Sequence, residues 1–302
     1  MKATIIGAGQ VGSTTGFYLL AGKTVDELAF IDVAEDRARG EALDLMHASS
    51  HFGKSVVVSG SSDFADAQGS DIVVITAGIP RRPGDNRLDL LKKNTAIMGE
   101  IIDDLMEHVD DSILLVVSNP VDVMTYVAQK KSGFDYQKVF GLGTVLDSLR
   151  LRSTIANKLS VNPLEVSALM AGEHGDSMFA AYSQSKISGE SVEESGKMTK
   201  EEFIEIAVQV RATAAEVIQL KGATYYAPAV AVGSVVEAVS GDKGEIMPVS
   251  TYNSEHRIYV STLAKVGRRG ANPIQIQFNE KEQFLFEESV KILKEACEMT
   301  GL

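Results

Sequence analysis

The sequence predicts an α/β fold: a doubly wound parallel sheet followed by an α+β domain. Three observations lead there. Short apolar runs alternate with amphipathic stretches through the first half, the first run leads straight into a glycine-rich turn, and near Gly141-Leu142-Gly143 the alternation gives way to long helical stretches. The runs are residues 3–6, 28–31, 56–58, 72–75 and 113–117, with a shorter one at Val139-Phe140. They are rich in β-branched residues and lack polar alternation, as expected of strands buried on both faces. Helical segments at 11–21, 35–50 and 88–108 lie between them. Strands alternating with helices imply parallel pairing, and right-handed crossovers gather the C-terminal strand ends on one rim, where such sheets bind ligands. Beyond the change, helices are expected at 147–158, 200–220, 227–239 and 280–300, with strand-like runs at 257–263 and 273–278. The expected division is residues 1–142 and 143–302, packed tightly around a cleft because no Pro-, Gly- or Ser-rich linker separates them.

Of the 302 residues 44% are hydrophobic, enough to bury one large core or two moderate ones. The formal charge is −12, with an estimated pI near 5.0. An acidic surface repels phosphate backbones, so no nucleic-acid partner is expected, and an anionic substrate must be captured by local arginines. Cys297 is the only cysteine, so neither an intramolecular disulfide nor a cysteine-based zinc site can form, in keeping with a reducing cytoplasm. No metal is expected. Residues 1–7 read as a strand entering a turn rather than as a signal peptide, and no apolar run reaches the length of a membrane span.

Gly7-Ala8-Gly9-Gln10-Val11-Gly12 is a G-x-G-x-x-G between a strand and a helix. The first glycine permits a tight turn, the second lets a pyrophosphate approach the backbone, and the third allows close helix packing. Alone the pattern is weak, since a glycine turn can serve packing only. The second strand, however, ends in Phe30-Ile31-Asp32, 20 residues beyond Gly12. An acid there accepts the ribose hydroxyls of NAD and repels the extra phosphate of NADP. The expected cofactor is NAD.

After the fourth strand comes Ile79-Pro80-Arg81-Arg82-Pro83-Gly84-Asp85-Asn86-Arg87. A run of charge is by default a solvated surface. On the ligand-bearing rim it can instead close over a substrate, with guanidinium forks meeting carboxylates. Three further clusters follow: Val117-Ser118-Asn119-Pro120 at the fifth strand end, Asp147 and Arg150 three apart on one helix face, and Gly172-Glu173-His174-Gly175-Asp176-Ser177. Each has a plain reading, as a turn, a surface ion pair and a loop histidine. Together they supply the parts for hydride chemistry on a 2-hydroxy acid: an imidazole to carry a proton, a carboxylate to hold it, and arginines for a carboxylate and a polarised carbonyl. The other histidines, His47, His51, His108 and His256, have no comparable setting.

On these motifs, together with Lys221-Gly222-Ala223-Thr224, the sequence resembles the lactate/malate dehydrogenase family over essentially its whole length. The resemblance implies a Rossmann NAD domain and assigns roles. His174 is the proton acceptor, Asp147 its partner, Arg150 the grip on the C1 carboxylate and Arg87 the carbonyl-polarising residue. Asn119 would contact substrate and nicotinamide, and Asn94, Val117 and Ser118 would add cofactor contacts. Arg81 matches the position where lactate dehydrogenases usually carry glutamine and malate dehydrogenases arginine. Thr224, by contrast, is the residue common in lactate dehydrogenases. Within the family the chain is most similar to the lactate-dehydrogenase-like malate dehydrogenases of archaea and bacteria, usually tetramers or dimers. The helix 35–50, with Ala42, Leu45 and His47, matches a subunit-contact helix there.

The implied reaction is oxidation of malate to oxaloacetate by NAD, with lactate and pyruvate as the nearest alternative pair. An NAD-dependent glycosidase of related architecture would require a metal-binding cysteine–histidine site, which the lone Cys297 does not offer. A non-catalytic NAD-binding protein would tolerate losses at His174, Asp147 or Arg150, and all three are present.

Overall fold

The computed structural model describes residues 1–79 and 87–302, and of Arg87 only the backbone. The first half supplies six parallel strands: β1 (Lys2–Ile6), β2 (Glu27–Ile31), β3 (Val57–Ser61), β4 (Ile72–Ile75), β5 (Ile113–Val116) and β6 (Val139–Gly141). Helices α1 (Gln10–Ala21), α2 (Glu35–Phe52), α3 (Arg87–Leu105) and α4 (Val121–Ser132) connect them. All four residues of β4 are fully buried, and they alternate between two cores. Ile72 and Val74 pack on the face covered by α1, and Val73 and Ile75 on the face covered by α3 and α4. A two-faced burial of this kind demands the continuous β-branched runs seen in the sequence.

The second half begins with α5 (Val145–Leu159) and continues through the short strands β7 (Val166–Ser167), β8 (Met170–Ala171), β9 (Phe179–Ala180), β10 (Lys186–Ile187) and β11 (Glu190–Ser191). Helices α6 (Val192–Ser195), α7 (Lys200–Lys221) and α8 (Tyr226–Gly241) follow. Strands β12 (Glu245–Met247), β13 (Ser250–Asn253), β14 (Ile258–Ser261), β15 (Ala264–Gly267) and β16 (Gly270–Pro273) precede the closing helix α9 (Glu280–Glu298). The fold is thus a Rossmann-like parallel sheet followed by a C-terminal α/β domain.

The halves interlock. The main sheet runs β3-β2-β1-β4-β5-β6-β13-β14, so its last two strands come from the second half and pair antiparallel. Helix α8 also packs on α1, where Gly233 lies against the Tyr18 ring.

Four sequence expectations need correction. The sheet does not stop at Val139-Phe140, because Ser250-Thr251-Tyr252-Asn253 extends it with buried polar residues that no hydrophobic run announces. The third strand continues past Val58 to Ser61, and Gly60 serves a packing purpose: a Cβ there would lie 2.1 Å from the Ala38 carbonyl of α2. Residues 274–279 are not a strand. Ile276 and Phe278 pack against the core from a segment outside any strand, so apolar alternation there reports packing alone. On α2, Ala42 and Leu45 face the protomer's own core, 4% and 7% exposed, whereas Leu43 and Met46 point outward.

Candidate active site

The C-terminal ends of β1, β2, β4 and β5 converge on one rim, joined there by the loop after β8. At the first of these ends Gly7 adopts φ +104°, and its amide donates to the Ile31 carbonyl at 2.8 Å. A Cβ at Gly7 would lie 2.8 Å from the Ala77 amide nitrogen, and one at Gly12 only 2.0 Å from the Gly7 carbonyl oxygen. At Gly9 a Cβ would meet nothing within 4 Å, so the turn is open there alone of the three. The helix it opens, α1, has no side-chain N-cap and no acid in its first turn, whereas α7 and α9 carry full capping boxes. Unclaimed N–H donors at a positive helix end bind phosphate. Asp32, at the end of β2, is anchored by the Ala8 amide at 2.7 Å and the Ala34 amide at 2.9 Å. Ala8 is buried, Val11 half-buried and Gln10 exposed. These residues fit a dinucleotide, with the turn for its pyrophosphate and Asp32 for its ribose.

A second group forms a few strands away. Helix α5 starts directly after β6, which sets Asp147 and Arg150 on one face of its first turns. Asp147 is 1% exposed. Its Oδ2 lies 2.7 Å from Nδ1 of His174, and its Oδ1 accepts from Nη1 of Arg150 at 3.2 Å. The other terminal nitrogen of Arg150, Nη2, is buried without a protein partner among the described residues. A buried guanidinium with an unmet donor is a receptor for a carboxylate. His174 follows Gly172, whose backbone bridges Ser261 of β14 in both directions.

The charges on these groups depend on one another. Burial pulls the His174 imidazole down, but Asp147, by charge and hydrogen bond, and Asp122, by charge, together raise it above the ordinary histidine range. Burial pushes Asp147 up, and His174 and Arg150 outweigh this to hold it below the usual carboxylate range. The pair is therefore built to stabilise an imidazolium beside a carboxylate. With the other imidazole nitrogen uncommitted to Asp147, it can give or take a proton at a substrate oxygen.

The remaining predicted residues vary in how they meet this group. Asn119 is exposed at the end of β5, and its peptide bond to Pro120 is cis. Ser118 is buried and donates to the Ile75 carbonyl at 3.1 Å, while Val117 is half-buried beside it. Asn94 of α3 is 3% exposed and its amide is committed to protein. It accepts from the Ile79 amide at 2.9 Å and donates to the Asn119 carbonyl at 2.8 Å, which ties Ile79 to the β5 end. Thr224 is half-buried in the connection between α7 and α8. Arg81 and the Arg87 side chain lie outside the described residues.

Sequence reasoning missed Asp122. It stopped at Asn119-Pro120, yet two residues on, in the first turn of α4, Asp122 is 2% exposed and accepts from the His174 amide at 2.8 Å. An acid just inside a helix reads as ordinary dipole compensation, so its partner 52 residues away left no local signal.

Comparison with known proteins identifies the family. Residues 1–141 match the family model for the lactate/malate dehydrogenase NAD-binding domain, and residues 144–300 that for the family's alpha/beta C-terminal domain. A malate dehydrogenase of Archaeoglobus fulgidus is 42% identical over 306 residues, covering 100% of both chains. L-lactate dehydrogenase 1 of Clostridium acetobutylicum is 39% identical, covering 98% of this chain and 97% of its own. Among solved structures, the Archaeoglobus fulgidus malate dehydrogenase in complex with NADH superposes with a TM-score of 0.90 at 41% identity, over 100% of both chains. The chain belongs to the lactate/malate dehydrogenase family and is an NAD-dependent 2-hydroxy acid dehydrogenase.

Proposed function

We propose that the enzyme interconverts malate and oxaloacetate. Arg81 carries this reading. Pyruvate and oxaloacetate share a carbonyl and a C1 carboxylate, and Arg87 and Arg150 serve those. They differ only beyond the carbonyl, in a methyl or a carboxymethyl group, and of the two loop arginines left, Arg81 and Arg82, Arg81 matches the family position that discriminates between these substrates. Enclosing a guanidinium against a methyl would leave a desolvated charge unpaired. The malate dehydrogenase relative at 42% identity supports the same choice.

In the reducing direction, Arg150 grips the C1 carboxylate through its unpartnered Nη2, and Arg87 polarises the carbonyl. Protonated His174 donates its proton to the carbonyl oxygen, while Asp147 holds the ring and balances its charge. Residues 7–12 and Asp32 would hold NADH, which would supply the hydride that the carbonyl carbon takes up. Asn119 orients the substrate at the end of β5, and Val117 and Ser118 would help to hold the cofactor there. Asn94 acts through the two segments it joins. In oxidation, neutral His174 takes the hydroxyl proton. Residues 1–142 hold the cofactor and 143–302 the substrate chemistry, in a cytoplasmic enzyme of the tricarboxylic acid cycle. Exposed Leu43 and Met46 on α2 support self-association, as a homotetramer or dimer.

Thr224 and the 39% identity to an L-lactate dehydrogenase favour pyruvate as the second reading. Steady-state kcat/KM for oxaloacetate and pyruvate with NADH decides between them. Preference for oxaloacetate is expected, and preference for pyruvate overturns the malate reading.

A further inference from the structure

Asp122 belongs to no step described above, yet it is the most heavily committed buried acid near His174. It sits in the first turn of α4, directly after the cis Asn119-Pro120 bond. Its Oδ2 accepts from the His174 backbone amide at 2.8 Å. Its Oδ1 accepts from the Ser250 hydroxyl of β13 at 2.5 Å and, more weakly, from that of Ser261 in β14 at 3.5 Å. One carboxylate thus joins the start of α4, the two antiparallel strands and the histidine loop. A neutral acceptor would suffice for packing, whereas burying a carboxylate is costly unless its charge is used or compensated.

We propose that Asp122 is a positioning residue for the proton-carrying imidazole: it fixes the backbone at His174 and adds a second negative charge, besides that of Asp147, to the field at the ring. The proposal rests on His174 being the proton carrier. Among the described residues, the charged and titratable groups around the pair include Asp147 and Arg150 from α5, Glu173 from the loop itself and Cys297 from α9. Burial pushes Asp122 up, and the Ser250 and His174 hydrogen bonds and the His174 charge bring it back to about 6. Above that pH it is ionised and favours the imidazolium. Below it the carboxyl is neutral, and the imidazole loses that support.

The test is Asp122→Asn in the full-length chain, which keeps an oxygen for the His174 amide and removes the charge. The His174 resonance is followed through a pH titration of protein labelled with 13C at the histidine ring, beside kcat/KM for keto-acid reduction. The expected result is a His174 titration displaced to lower pH, an alkaline limb of kcat/KM displaced the same way, unchanged NADH affinity, and kcat/KM lower by about 10–100-fold from misplacement of the ring. Ser250→Ala retains the acid but removes a hydrogen bond that favours its ionised form, so it shifts both titrations in the same direction by less. It decides the matter alone if Asp122→Asn does not fold. Loss of stability or rate with the His174 titration unmoved in the variants overturns the proposal. A His174→Asn enzyme that keeps the alkaline limb would instead overturn the assignment of His174, and the NMR titration still reads Asp122 independently.

Discussion

The cofactor turn and the histidine group sit on the same rim but are built in opposite ways. Residues 7–12 make their site from backbone: a positive φ, two glycines with no room for a side chain, one glycine beside open space, and a helix end left uncapped. The histidine group is built from side chains of α4, α5, the loop after β8 and strands β13 and β14, which meet only in the folded chain. A backbone site is written in six consecutive residues and tolerates almost no change of shape. A side-chain site is scattered, and it can be retuned one residue at a time.

The largest expected effect follows from that retunability. Arg81→Gln should shift the ratio of oxaloacetate to pyruvate kcat/KM by roughly 10³–10⁵-fold, the penalty for a buried charge without its partner. NADH affinity should not follow. An unchanged ratio would place specificity at Arg82 or Thr224. Next, His174→Asn should lower kcat by about 10²–10⁴-fold, the usual span for a lost general acid, with NADH titrations unaffected. A variant keeping more than half of the activity would remove His174 from proton transfer.

Two glycine substitutions probe the backbone site from opposite sides. Gly12→Ala drives a Cβ into the Gly7 carbonyl, so thermal unfolding should register about 1–3 kcal/mol of lost stability together with weakened NADH binding. Gly9→Ala meets nothing in the protein, and its φ of −76° suits alanine. It should leave the melting temperature unchanged and weaken NADH alone. Equal losses of stability in both variants would show that the openness at Gly9 serves folding rather than a ligand.

The smallest effect is in pH. In the proposed mechanism reduction draws on protonated His174, whose titration Asp147 and Asp122 raise above the ordinary range. Reductive kcat/KM should therefore hold on the acid side of that titration and decline as pH climbs through it, while oxidative kcat/KM rises over the same interval. Limbs of the same sign in both directions would contradict a single proton carrier.

The same contrast explains what was legible in the sequence. Strands β1, β2, β4 and β5 show because both faces are buried, whereas the half-exposed edge strand β3 shows only in part, and the glycine turn shows because backbone geometry constrains residue type locally. Asp147 and Arg150 show because a helix brings residues three apart together. Strand β13 does not, since Ser250, whose hydroxyl donates to Asp122, and Thr251 are buried polar residues that form no hydrophobic run. Asp122 does not, because its role is defined by partners 52 and 128 residues away.

The shared sheet sets a timetable for synthesis. Strand β6 emerges from the ribosome with its outer edge unpaired, and the strand that covers it begins at Ser250, more than 100 residues later. At elongation rates of about 5–20 residues per second, that edge waits roughly 5–20 s. Unpaired edges invite pairing with other chains. At three residues β6 offers little to pair with. Its brevity limits that exposure while the rest of the chain is made.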